Sequence, residues 1–252
     1  MSGYDYGRDG IVGIGTPQAN PTVEAEMRVL LPSAVLPVTV RLTSCAADPA
    51  ERLCEYLRAL PDTMQCFDTL KLAAFGFACT GSSYLVARDE ARRIVASAED
   101  RFGSPVVLAA DAIAAGLRAL GAERIALVSP YPAALAAAAR AYWTEEGFAV
   151  TLAQPIPIAG SDTRAIYALG SDDARGTLRN LDSMSYDAIV LSGTGMPSLA
   201  ILAEAHDTPI LSSNYCLAER LTALTAAGSL DPGEWRARLA SATASTYRQE
   251  TP

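Results

Sequence analysis

Eight short apolar runs recur along the chain, each nearly unbroken and each ending in small or polar residues. They are "IVGIGT" (11–16), "PVTVRL" (37–42), "LAAFGFA" (72–78), "PVVLAA" (105–110), "RIALVSP" (124–130), "VTLAQPI" (150–156), "DAIVLSG" (187–193) and "TPILSS" (208–213). Runs of this length without alternation predict strands covered on both faces. Between them, helical spacing of apolar residues predicts helices over 48–60, 89–102, 132–148 and 217–228. The last of these ends at Gly228, a natural residue just past a helix, and a final helix is expected to start near Pro232. Strand–helix alternation of this kind predicts an α/β fold with parallel sheets and right-handed crossovers.

The series runs twice. One unit holds "IVGIGTPQANP" and later "LAAFGFACTGSS"; the other holds "RIALVSPYP" and later "DAIVLSGTGMPS". In both, a strand ends in a Pro-containing loop and a later strand ends in a Gly/Ser/Thr loop. This weak repeat predicts two similar lobes facing each other. The first covers residues 1–110 and is completed by 211–252; the second covers 111–210. Ligands in such sheets bind beyond the carboxyl ends of the strands, where these loops lie.

Composition narrows the partners. Half of the 252 residues are apolar, enough for a sizeable core, yet no run reaches membrane-spanning length, so no transmembrane helix is expected. The opening "MSGYDYGRDG" lacks a basic segment followed by an apolar one and reads as a short disordered arm, not a secretory signal. Lys and Arg total 20 against 28 Asp and Glu, a net charge of −8, and no basic block stands out, which argues against a nucleic-acid partner. A small anion is not excluded, because a local nest of N–H groups outweighs a distant net charge. Cys45, Cys54, Cys66, Cys79 and Cys216 show no CxxC spacing, which suggests reduced thiols in a cytoplasmic protein. With His206 the single histidine and no Cys/His/Asp cluster, no metal site is expected. His206 sits at the tail of an apparent helix, where capping the dipole is the favoured role.

The candidate chemistry lies in the loops. In "FACTGSSYLV" (77–86), Cys79 stands between an apolar strand and a string of small hydroxyl residues. Backbone N–H groups opening toward a helix would stabilise its thiolate, and they could also hold a carboxylate. A buried structural thiol followed by a Ser/Thr turn is the plainer reading. The mate loop "LSGTGMPS" offers Gly193, Thr194, Gly195 and Ser198 but no acid, base or thiol; it reads as a carboxylate nest or a plain strand–helix turn. Asn20 could contact a ligand or make an Asx turn before Pro21, and the turn is favoured. Tyr131 ends a strand, where its hydroxyl could reach a substrate oxygen or simply pack. Asp162 reads as an N-cap beside Thr163. Cys216, near a helix start, shares a little of the suspicion that falls on Cys79, while Cys45, Cys54 and Cys66 read as core thiols.

Taken together, "GIGTPQANPTVEAEM", "FACTGSSY", "RIALVSPY", "VLSGTGMPSLA" and "TPILSSN" resemble the aspartate/glutamate racemase superfamily, within it the maleate isomerase and arylmalonate decarboxylase branch. The pieces fall in family order from about residue 11 to 225. The resemblance implies two Rossmann-like lobes with parallel sheets related by a pseudo-twofold, the active site between them, and no metal or organic cofactor. Racemases carry one cysteine per lobe; Cys79 matches the first, and Gly193 stands where the second should be. Two-base racemisation, which needs a proton acceptor and a donor on opposite faces, is therefore not expected.

Two chemistries with a single thiol remain. A Cys79 thiolate could add to a maleate-like double bond and permit cis–trans rotation. Alternatively, the thiol could protonate the enediolate left when a malonate-type diacid loses CO2, although decarboxylases of the family carry their thiol in the second lobe. In either case the resemblance assigns carboxylate binding to Asn20, Tyr131, Thr163, Asn214, residues 80–82 (Thr80, Gly81, Ser82) and residues 193–195 (Gly193, Thr194, Gly195). Thr163 stands where isomerases tend to have Asn. A third reading is a non-catalytic dicarboxylate-binding relative, which an ordinary, unacidified thiol at Cys79 would favour. The expected partner is a small dicarboxylate, and self-association is left open.

Overall fold

The computed structural model describes residues 5–179, 181 and 186–247. Eight parallel strands form two four-stranded sheets. The first sheet holds β1 (Gly10–Pro17), β2 (Val35–Leu42), β3 (Ala74–Phe77) and β4 (Val106–Leu108); the second holds β5 (Arg124–Ser129), β6 (Ala149–Pro155), β7 (Ala188–Leu191) and β8 (Ile210–Ser212). Their orders, β2-β1-β3-β4 and β6-β5-β7-β8, repeat strand for strand. All eight apolar runs thus become strands, in two matching α/β lobes.

Register places the loops. Gly15 pairs with Phe77, so the chain leaving β1 and the chain leaving β3 emerge side by side. Val128 pairs with Leu191, which does the same for the chains leaving β5 and β7. Each sheet therefore presents two inner-strand loops at one edge, and those four loops meet.

The helices are α1 (Thr22–Leu30), α2 (Pro49–Arg58), α3 (Leu60–Gln65), α4 (Thr80–Leu85), α5 (Arg88–Phe102), α6 (Ala109–Ala119), α7 (Ala133–Glu145), α8 (Ser171–Leu178), α9 (Leu199–Leu202), α10 (Ser213–Ala223) and α11 (Pro232–Tyr247). A 3-10 turn, Thr163–Ala168, precedes α8. α2 starts as its sequence dictates: the Asp48 carboxylate accepts from Glu51 N at 2.8 Å and a proline occupies the first turn. One apolar cluster runs through both lobes and includes Phe75, Phe77, Ile113 and Trp143. A second covers the other face of the first sheet, where Ile14, Met27, Leu30, Leu217 and Trp235 join β1, α1, α10 and α11.

Several expectations need correction. The helix over 48–60 breaks at Ala59, and a second short helix follows. The helix expected over 217–228 starts four residues earlier, because the Ser212 hydroxyl accepts from Tyr215 N and caps it; Gly228 instead serves a later turn at φ +74°. "PVVLAA" yields a three-residue strand, since Ala109 and Ala110 already belong to α6. Cys45 and Cys66 are exposed and Cys54 is half-buried, so none is a core thiol: the first lies in the loop after β2 and the second caps α3. Of the expected N-terminal arm, residues 1–4 lie outside the described residues. The rest is tied down, with Asp9 N donating to Ala34 O and Ala226 N donating to Asp9 O. His206 Nε2 lies 2.8 Å from Ile201 O in α9, the expected cap. Among the described residues no helix is long and apolar enough to cross a membrane.

Candidate active site

Cys79 ends the β3 segment and serves as the residue before α4, with extended backbone at φ −143° and ψ 91°. The strand delivers the side chain and the helix turns its first N–H groups back onto the sulfur. Ser82 Oγ donates to Sγ at 3.2 Å, and the backbone N–H groups of Gly81 and Ser82 also reach it. These three donors favour the thiolate. Burial opposes them and is larger, so the Cys79 thiol is held above its ordinary value. Only 4% of the residue is exposed.

The thiol faces a small cleft of about 30 Å³, lined by Cys79, Thr80 and Gly81 from the first lobe and Tyr131, Gly193, Thr194 and Gly195 from the second. Thr163, Ile166 and Tyr167 of the 3-10 turn complete the wall, with Pro17, Leu53 and Leu135. That space holds about one water. A larger cavity, about 500 Å³, lies among α5, α6 and α7 on the far side of α4. It is walled by charged side chains and holds no thiol, whereas the four strand-end loops converge on the small one.

Opposite Cys79, Gly193 adopts φ +132°, a backbone conformation that favours glycine. A Cβ there would clear its neighbours, the closest being Pro130 Cδ at 3.5 Å and the Tyr131 hydroxyl at 3.6 Å. Conformation, not space, keeps the position side-chain-free. Gly195 is limited by space: a Cβ would come within 2.7 Å of the Tyr167 ring.

Eight of the expected site residues line the cavity: Cys79, Thr80, Gly81, Tyr131, Thr163, Gly193, Thr194 and Gly195. Ser82 sits beneath the sulfur. Asn20 and Asn214 stand behind the cavity. Asn20 Oδ1 accepts from Thr22 N at 2.9 Å, the expected Asx turn, while its Nδ2 lies 3.4 Å from Thr194 Oγ1. Asn214 Nδ2 donates to Thr194 O at 3.0 Å. Gly193 N–H is engaged by Ser213 Oγ at 3.0 Å. Cys216 is wholly buried in α10, outside the cavity; burial raises its thiol, and Glu219 adds to the effect.

Residues the loop motifs did not single out hold the lobes together. Glu26, buried in α1, accepts from Ser198 N at 2.5 Å, Leu199 N at 3.1 Å and Asn214 Nδ2 at 2.7 Å. Burial raises its carboxyl despite these donors. Thr22 Oγ1 donates to Gly195 O at 2.8 Å, and Thr194 Oγ1 donates to Ala78 O at 2.9 Å. At the opposite rim, Arg52, with 4% of its side chain exposed, pairs at 2.6 Å with Asp162. Asp162 also accepts from Arg164 N and its guanidinium, capping the 3-10 turn. The sequence did carry a signal for Glu26: it lies among Val23, Met27 and Leu30 on the apolar face of α1, an unusual place for a carboxylate.

Fold and site define a two-lobed α/β protein with one thiol at the lobe interface. A family model described as arylmalonate decarboxylase matches residues 50–232, and the chain belongs to that family. It is 29% identical over 225 residues to the maleate isomerase of Nocardia farcinica (strain IFM 10152), covering 80% of this chain and 84% of the relative. A maleate isomerase of Geobacillus stearothermophilus is 32% identical over 142 residues, 54% of each chain. Among solved structures, the Nocardia farcinica maleate cis-trans isomerase variant with a covalently bound succinylcysteine intermediate superposes with a TM-score of 0.74 at 23% identity, covering 90% of this chain and 98% of that one. A double variant of arylmalonate decarboxylase in its liganded form superposes with a TM-score of 0.73 at 21% identity, covering 89% and 96%. At these identities the superpositions establish the shared fold.

Proposed function

We propose that the protein is a cofactor-independent cis–trans isomerase of a small maleate-like dicarboxylate, with Cys79 as the nucleophile. The observation that carries this reading is a single thiol at a strand end, under three donors, in a cleft walled by hydroxyl and glycine loops from both lobes. Similarity to maleate isomerases over most of the chain supports it.

The Cys79 thiol first gives up its proton to solvent water. The thiolate then forms an S–C bond to one alkene carbon, and the π pair moves onto the other carbon and its carboxylate to give an enediolate. The former double bond is now single and rotates by half a turn. The pair returns, the S–C bond breaks, and the trans diacid leaves with the thiolate restored. No net proton is needed, so one sulfur suffices.

The remaining loop groups bind the carboxylates and the enediolate. Tyr131 and Thr163 supply hydroxyls, the turns at Gly81, Ser82, Gly193 and Gly195 supply close backbone approach, and Thr80 and Thr194, whose protons go to Ser213 Oγ and Ala78 O, shape the wall, with Asn20 and Asn214 orienting Thr194 from behind.

A specific observation favours a second reading, decarboxylation of a malonate-type diacid. Burial holds Cys79 protonated, as a proton donor to an enediolate requires, and the matching family model carries the decarboxylase description. Proton NMR in deuterated buffer, with maleate and with a phenylmalonate beside a Cys79→Ala control, separates the readings. Fumarate formed only by the unaltered protein supports the isomerase; a deuterated monoacid from the malonate replaces it with the decarboxylase. No turnover of either, with Cys79 inert to alkylation, leaves a dicarboxylate-binding protein.

A further inference from the structure

Behind Tyr131 runs a buried line of hydrogen bonds that the proposed chemistry does not use. Trp143 Nε1 donates to the Tyr84 hydroxyl at 3.1 Å. Tyr84 Oη lies 2.7 Å from Ser192 Oγ, and Ser192 Oγ lies 3.2 Å from Tyr131 Oη. All four residues are buried, and the line crosses from α7 to α4 and on to the residue after β7. Tyr84 packs edge-on against Tyr131, Tyr142 and Trp143, which fixes its ring.

The donor inventory gives this line a direction. An indole N–H only donates, so Tyr84 Oη is an acceptor toward Trp143. The Tyr84 proton then has Ser192 Oγ as its one acceptor within reach. With that bond set, the Ser192 proton finds its acceptor in Tyr131 Oη. Any other arrangement strands a hydroxyl proton in a dry interior, at a cost of about 1–3 kcal/mol. Tyr131 therefore receives a hydrogen bond from behind and turns its own proton toward the cavity. Thr80, which borders the phenol at the cavity wall, donates to Ser213 Oγ at 2.9 Å, so in the resting protein the Tyr131 proton rests on Thr80 Oγ1 on the cavity side, where a substrate oxygen can take its place.

We propose that Ser192, Tyr84 and Trp143 are positioning residues that lock the Tyr131 hydroxyl as a donor into the cavity, on the side of the loop where Gly193 carries no side chain. The inference rests on the isomerase reading for what that donor serves, namely the oxygen of an enediolate. Its geometric part stands in the resting protein. The line also explains why the residue before Gly193 is a serine: its hydroxyl is the one joint between the two tyrosines.

The test is a double-mutant cycle on maleate turnover with Ser192→Ala and Tyr131→Phe. Ser192→Ala is expected to lower kcat about tenfold with KM nearly unchanged, less than the roughly 10²–10³-fold that follows outright loss of an oxyanion donor. The double variant should be no slower than Tyr131→Phe alone, because Ser192 acts through Tyr131. Multiplying losses would overturn the proposal. Tyr84→Phe keeps the ring and its packing and should reproduce the kcat loss if Ser192→Ala fails to fold; an unchanged kcat would count against the line. If the unaltered protein turns over neither substrate, the isomerase reading fails and the resting protein decides the rest. In tyrosine ¹³C-labelled protein, Ser192→Ala should then shift the ring Cζ resonances of both Tyr84 and Tyr131. A shift in only one of them would break the line.

Discussion

The loops that leave β3 and β7 occupy the same place in their respective sheets, yet they have diverged in kind. After β3 the backbone is extended, a thiol projects, and a helix begins at the next residue. After β7 the chain turns through a positive φ at Gly193, carries no side chain there, and reaches its short helix only at Leu199. The first loop is built around one sulfur. The second is built around hydroxyls and carbonyls, several of them committed to the other lobe: Thr194 Oγ1 to Ala78 O, Gly195 O to Thr22. A repeated fold thus carries symmetric scaffolding under two unlike loops, with the thiol in one lobe and a side-chain-free turn in the other.

Removing the sulfur should break this division most completely. Cys79→Ser is expected to lower turnover by more than about 10³-fold, as loss of a nucleophile typically does, while leaving the melting temperature nearly unchanged; single-turnover NMR and a thermal melt check both. The direction of the pH profile sharpens the same point. Burial raises the Cys79 thiol, so an isomerase using the thiolate should gain rate as pH climbs through and past the ordinary thiol range of about 8.5. A decarboxylase using the thiol should hold steady there and lose rate only above it.

The second lobe is expected to answer in stability. Glu26→Ala leaves Ser198 N, Leu199 N and Asn214 Nδ2 facing an empty interior and should cost about 3 kcal/mol in denaturant unfolding. The native carboxyl of Glu26 is raised above its unfolded value of 4.5. Its contribution is therefore fully present below that pH and is lost as pH rises through the native value. Melting curves across pH should show this slope, and Glu26→Gln should flatten it.

Gly193→Ala tests conformation without chemistry. A side chain at φ +132° is strained, so stability should fall by about 1–3 kcal/mol. Gly193→Cys should show the same loss and no gain of a second catalytic thiol, because the backbone must first leave its present conformation; racemase activity toward aspartate or glutamate would contradict this. The smallest effect is expected at the rim. Arg164→Ala should move the melting temperature least, since Arg164 is exposed and the buried Arg52 still pairs with Asp162. Asp162 is held down to about 2, chiefly by Arg164, so its contribution is present above the unfolded value near 3.8 and lost as pH falls toward 2.

The strands were legible because each is a compact apolar run with a polar end, and the repeat was legible because those runs recur in the same order. Helices that continue a strand's apolar run were not: α6, "AADAIAAGLRA", begins at the residue after β4, and its first alanines read as the end of that run. α4 is six residues of small hydroxyl and glycine character and reads locally as a turn. Cys79 could be singled out because a thiol among turn residues is a local anomaly. Tyr84, Ser192 and Trp143 could not, since their meaning lies in contacts spanning 59 to 108 residues of sequence. Arg52 and Asp162 are of the same kind, ordinary helix and cap residues until the fold brings them within 2.6 Å.

The ties between the lobes are unequal, and that inequality gives the molecule a front and a back. Around Glu26 the lobes share a cluster of buried bonds to backbone amides, with Thr22 and Thr194 beside it, which together behave as a spine. Across the cavity, Arg52 and Asp162 form a clasp next to the 3-10 turn that walls the thiol. A book bound along one edge opens at the other. Separation that leaves the spine whole would part Arg52 from Asp162 and swing Thr163, Ile166 and Tyr167 away from Cys79.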